Sequence, residues 1–157
     1  MDWEIFDGRV SIVCIGNELN GDDALGREVS IGLSGLDGIQ VIWAHTAPEN
    51  FTDEIAGYGP SRVILVDAAD FGGHPGEIRL MGADILQQAH VSTHRAPLRL
   101  LRGLFLRKGL ELYLVGVQAA NGGLGQPLSV EVSRAAKRIV DEVKRRHTGG
   151  KKSIRRP

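Results

Sequence analysis

Apolar positions in this chain recur at two periods, and the points where one gives way to the other mark its elements. Val10–Ile15, V-S-I-V-C-I, is apolar almost throughout and rich in β-branched residues, as a strand covered on both faces should be. Gly16-Asn17 breaks the run, a polar loop follows, and a helical pattern begins at Asp22-Asp23. Leu25, Val29, Gly32 and Leu33 then recur at helical spacing until Gly35-Leu36-Asp37-Gly38 stops them. Ile39–Ala44 reads as a second strand, residues 45–50 as a loop, Phe51–Ala56 as a short helix and Gly57–Pro60 as a turn. Arg62–Asp67, R-V-I-L-V-D, is the clearest strand, four apolar residues closed by an acid. A glycine-rich loop leads to Gly76–Met81, a shorter strand suited to a sheet edge, and Asp84–Ala89 fits a helical turn. Pro97–Lys108 is a helix opened by proline, with Leu98, Leu101, Leu104 and Phe105 on one face. Leu110–Val117 is the last strand. Ser129 caps the last helix, whose apolar stripe is Val132, Ala135, Ala136, Ile139, Val140 and Val143.

Strands alternating with helices predict an α/β fold, a three-layer α/β/α sandwich around a mostly parallel five-stranded sheet. The Gly76–Met81 strand is free to run antiparallel, which would make the sheet mixed. The length suits a single domain, assigned to residues 1–148, with a basic tail over residues 149–157 expected to be disordered.

Charge narrows the partners. Lysine plus arginine equals aspartate plus glutamate, so no global field draws the chain to nucleic acid or to an acidic membrane. The basic stretch from Lys144 to Arg156 reads as a solvated tail. The single cysteine, Cys14, excludes an intramolecular disulfide and a cysteine-built zinc site, and fits a buried, reduced thiol in a cytoplasmic protein. No apolar run approaches the roughly 18 residues of a membrane span, and the first residues carry acids where a signal peptide needs bases.

The chemistry concentrates after the strands. A strand, a glycine turn and a helix start commonly build a ligand site at the carboxyl edge of an α/β sheet. A helix N-terminus favours an anion, but Asp22 and Asp23 would repel phosphate and suit a cation instead. Gly16–Gly21 has P-loop spacing, yet Asp22 stands where lysine is required, and no G-x-G-x-x-G occurs. If the segment carrying His94 folds over the edge, Asp23, Asp67 and His94 can meet, a donor set for a divalent first-row metal. Each also has a plainer reading: a helix cap for Asp22 or Asp23, a backbone acceptor for Asp67, a loop residue for His94. His45, His74 and His90 read as solvent-facing, and Cys14 as core. No serine triad is indicated: Ser92-Thr93-His94 sets hydroxyls beside an imidazole, but G-x-S-x-G is absent.

The segments I-G-N-E-L-N-G-D-D-A-L-G (15–26), A-P-E-N (47–50), R-V-I-L-V-D-A-A-D (62–70), P-G-E-I-R (75–79), T-H-R-A-P-L (93–98) and L-V-G-V-Q (114–118) give the chain a family likeness. It resembles the hydrogenase maturation endopeptidases, especially the branch serving formate-hydrogenlyase-type [NiFe] hydrogenases. The resemblance implies an endopeptidase that binds the precursor of the large subunit after nickel insertion and cuts once, removing a C-terminal extension. It carries the family's metal-contacting acid onto Asp23, its strand-end aspartate onto Asp67 and its histidine onto His94. Nickel then arrives with the substrate, so the resting enzyme needs no metal of its own. Asn17 and Asp22 would orient the site from behind. Two departures stand out. Ala24 follows the acid pair where many relatives have glycine, which requires only a negative φ. Trp43-Ala44-His45 replaces a common Asp-Gly-Gly, leaving His45 as a substitute polar contact for substrate. The alternatives are a self-contained metallo-aminopeptidase-like hydrolase and a non-catalytic module that checks for nickel.

Overall fold

The computed structural model describes residues 1–82 and 97–149. Alternation of side chains along its strands sorts the core into two halves. Ile12 and Cys14 of β1 (Val10–Cys14), Ile64, Val66 and Ala68 of β3 (Arg62–Ala69), and Val115 and Val117 of β5 (Leu112–Gln118) point to one face. There they meet Leu25, Val29 and Leu33 of α1 (Leu25–Leu33) and the stripe of α4 (Val130–Gly149). Val13, Ile15, Val63, Leu65, Leu112 and Leu114 point to the other face. They meet Ile55 of α2 (Thr52–Tyr58) and Leu98, Leu101 and Phe105 of α3 (Pro97–Arg107). A strand covered on both sides has to be apolar at consecutive positions, which is the pattern β1 and β3 carry. Each such side chain taken fully out of water contributes about 1.5–3 kcal/mol before entropy is charged against it.

The sheet order is β2-β1-β3-β5-β4, with β2 spanning Ile39–Trp43 and β4 spanning Ile78–Met81. β1 pairs in parallel with β2 and β3, and β3 with β5, while β4 runs antiparallel to β5. The sheet is therefore mixed, with its reversed strand at one edge. Helices α1 and α4 pack together on one face. A Cβ on Gly32 of α1 would meet Val140 Cγ2 at 2.6 Å, so only glycine allows this approach.

The elements differ from expectation mainly at their ends. β3 runs past Asp67 to Ala69, because β5 pairs with it as far as Gln118 and Ala119 N–H donates to Ala69 O at 3.0 Å. Pro48–Phe51 forms a 3-10 turn, so α2 starts at Thr52 and continues to Tyr58, where Gly59 (φ 69°) ends it. The last helix runs as far as Gly149. The helical turn expected at Asp84–Ala89 and the tail beyond Gly149 lie outside the described residues. Cys14 is a buried free thiol, and burial pushes its pKa far up. Among the described residues no helix is long and apolar enough to cross a membrane.

Candidate active site

The carboxyl end of β1 is tied on both sides. Ile15 N–H donates to Val66 O (3.0 Å), Gly16 N–H to His45 O (2.8 Å), and Ala44 N–H to Cys14 O (2.9 Å). The following loop then closes on itself. Asn17 N–H donates to Asp23 O (3.1 Å), Asn20 N–H to Asn17 O (3.1 Å), and Asp23 N–H to Asn20 O (3.0 Å). Asn17 Oδ1 accepts from Leu19 N–H at 3.0 Å, so this side chain shapes the turn that carries Asp23. Gly16 has φ 149°, and a Cβ there would run into the carbonyl oxygen of Asp23. The loop can fold back on β1 only because that atom is missing.

Asp23 is half-buried in the 3-10 turn Gly21–Ala24, which packs against β3, the strand that carries Asp67. Asp67 is fully buried and lies between Leu65 and Ala69 along the strand, on the face covered by α2 and α3. Its sheet partner is Gly116. A Cβ on Gly116 would strike the terminal methyl of Met81 and come within 3.3 Å of Ala69 Cβ. The bare backbone at 116 therefore leaves the flank of Asp67 to Met81. Adjacent parallel strands thus bring both predicted acids to one sheet edge, as the topology requires. Ala24 has φ −75°, as its replacement of glycine demands.

Asp22 has a different task from its neighbour. It caps neither its own 3-10 turn nor α1, whose N-terminal flanking residues are Asn20 and Ala24 and make no side-chain cap bond. Its carboxylate is fully buried and reaches the loop between β5 and α4. Oδ2 accepts from Ala120 N–H (2.7 Å), Asn121 N–H (2.8 Å) and Ser129 Oγ–H (3.0 Å), and Oδ1 accepts from Ser129 N–H (2.7 Å). Burial alone would raise its pKa, but these four donors outweigh that and hold the carboxyl below its ordinary value. Ser129 in turn receives a long bond from Val132 N–H at 3.4 Å, which makes it the expected cap of α4.

His94 and His90 lie outside the described residues. Among the described residues no three histidine, cysteine, aspartate or glutamate side chains are grouped to hold a metal. His45 is exposed, with its ring 4.8 Å from Trp43 and tilted by 48°. It has φ 52°, a left-handed conformation that favours glycine, the residue the family resemblance leads one to expect there. His74 is exposed, as expected.

Gln118 was not singled out from sequence. It is buried at the end of β5, where Oε1 accepts from Phe71 N–H (2.9 Å) and Gly73 N–H (3.1 Å). Its Nε2 donates to Asp70 Oδ1 at 3.2 Å. It thereby fixes the loop that follows Asp67. The available signal was a polar residue closing an otherwise apolar strand, L-V-G-V-Q.

A family model described as hydrogenase maturation protease matches residues 34–146. The hydrogenase 3 maturation protease of Escherichia coli K12 is 30% identical over 131 residues, covering 82% of this chain and 84% of that one. The crystal structure of the [NiFe] hydrogenase maturation protease HycI from Thermococcus kodakarensis KOD1 is 32% identical. It matches with a TM-score of 0.78 over 91% of this chain and 97% of that one. The hydrogenase maturating endopeptidase HybD of E. coli, at 20% identity and a TM-score of 0.73 over 90% and 94% of the two chains, shares the fold.

Proposed function

Because the chain belongs to the hydrogenase maturation protease family and is a peptidase, we propose that it removes the C-terminal extension of a [NiFe] hydrogenase large-subunit precursor once nickel has been inserted. The observation that supports this is the pair Asp23 and Asp67, held at one sheet edge by adjacent parallel strands in a chain with the maturation-protease fold. In this reading Asp23, Asp67 and His94 are the catalytic groups. The two carboxylates are hard oxygen donors, and an imidazole completes a set suited to a borderline divalent ion. Nickel is cargo of the substrate, and it supplies a Lewis acid beside the bond to be cut. The chain's own groups do the holding. Gly16 and Asn17 fix the backbone of Asp23, and Asp22 anchors the same turn to the loop before α4. Gln118 fixes the loop after Asp67. His45 at the rim meets the substrate on its way in. Cys14, buried with a raised pKa, is no nucleophile. In this reading the enzyme works in the cytoplasm, where a single buried cysteine stays a thiol.

The test is mass spectrometry of a nickel-loaded precursor carrying its full extension, before and after adding this protein. A single cut that releases the C-terminal extension is expected. An intact precursor would refute the proposal. Stoichiometric zinc in the purified protein, with activity on short peptides, would make it a self-contained hydrolase instead.

A further inference from the structure

β2 is an edge strand, and nothing among the described residues blunts it. It reads Ile39-Gln40-Val41-Ile42-Trp43, without charge or proline, and pairs only with β1 among the described residues. Sheet edges are usually shielded by charges, prolines or brevity, because free backbone groups recruit another strand. The opposite edge, β4, is shorter and carries the exposed Arg79. Ala44 N–H donates to Cys14 O, so the amides of Gln40 and Ile42 also face β1. The N–H and C=O groups of Val41 and Trp43 therefore face outward.

Beside this edge runs a groove of about 440 Å³, lined by Arg27, Ser30 and Ile31 of α1, by Ser34 just past its end, and by Val41 and Trp43 of β2. Ile31 is 54% exposed on its wall. The carboxyl end of β2 lies beside the loop of Asp23. A Cβ on Gly16 would lie 3.8 Å from the tip of the Trp43 ring, and Gly16 begins the loop that carries Asp23. A row of open backbone groups and side-chain room on one face are what strand addition of an extended peptide requires, and the end of β2 would set such a strand beside the loop of Asp23.

We propose that an extended stretch of the precursor's C-terminal extension adds as a sixth strand to the outer edge of β2, with alternate side chains in the groove. The pairing guides the scissile bond past Trp43 to Asp23. This rests on the reading above that the substrate is a large-subunit precursor.

The test is amide hydrogen exchange of the full chain, alone and with a catalytically inert Asp23→Asn variant, as nickel-loaded precursor is added. The amides of Val41 and Trp43 should slow by at least about tenfold with the precursor and not with the mature large subunit. Val41→Pro removes one outward N–H without touching the ladder to β1. It should raise KM for the precursor about tenfold and leave kcat within about twofold. Cleavage of the precursor without protection at β2, or an unchanged KM in Val41→Pro, overturns the docking edge and leaves the peptidase reading intact. Protection that appears with enzyme concentration alone assigns the edge to self-association and also overturns it. Absence of cleavage by the unmodified protein overturns the peptidase reading and the docking edge with it.

Discussion

Asp22 and Ser129 are joined by two hydrogen bonds, Ser129 N–H to Oδ1 at 2.7 Å and Ser129 Oγ–H to Oδ2 at 3.0 Å, across 107 positions of sequence. Together with the bonds from Ala120 and Asn121, they tie a buried carboxylate of the first loop to the last, beside backbone bonds from Asp22 N–H to Asn121 O and from Gly125 N–H to Leu19 O.

That link is charged, so its contribution depends on pH. The folded pKa of Asp22 lies below the unfolded value of about 3.9. Its stabilisation is therefore complete above that value and is lost as pH falls through the folded pKa. Asp22→Asn turns an acceptor into a donor against N–H groups and should cost about 2–4 kcal/mol at neutral pH. Urea unfolding at pH 7 and pH 3 checks this: the gap between the two proteins should narrow in acid. A constant gap would show that charge is not what Asp22 contributes.

Asp23 sits half-buried beside it and does other work. Asp23→Asn should lower cleavage of the nickel-loaded precursor by about 10²–10³-fold or more, with Tm within about 3 °C of the parent. His94→Ala should lose cleavage in the same way. A large fall in Tm with activity retained would return either residue to a structural role.

The Gly16 contact makes the loop sensitive to one methyl group. Gly16→Ala brings a Cβ against the Asp23 carbonyl in a backbone region unsuited to alanine, and the loop has to shift. A loss of about 2–4 kcal/mol is expected, with cleavage falling further than stability alone explains. Parallel urea titration and precursor assays separate the two effects.

His45 offers the opposite experiment. His45→Gly removes the penalty of a β-carbon at φ 52° and adds unfolded-chain entropy, so a net gain of up to about 1 kcal/mol is expected. Cleavage kinetics on the same precursor show whether the imidazole meets substrate. An unchanged KM would leave His45 its carbonyl bond to Gly16 and its ring contact with Trp43.

The strand and helix periods were legible because burial on two faces forces apolar runs, and that order alone brings Asp23 and Asp67 to one edge. The end of β3 was less so. Asp67 looks like a terminator in sequence, but pairing with β5 carries the strand two residues further and buries it. Asp22 was harder still. Next to a helix start it reads as a cap, and its real partners are about a hundred residues away, where no local pattern reports them. Gln118 escaped for the same reason, since its partners lie in the loop after β3. His45 shows the reverse case: family likeness marked the position as unusual, and a positive φ supplies the cause.

The bond between Asp22 and Ser129 also sets an order in time. A ribosome releases the loop of Asp22 long before it has made its anchor, so the nascent chain carries an unfastened site until nearly the whole domain has emerged. A truncated product ending before Ala120 would keep Asp22 in its sequence and yet lack every partner of its carboxylate. Unfinished copies would thus hold the turn beside β1 less firmly than the complete fold does.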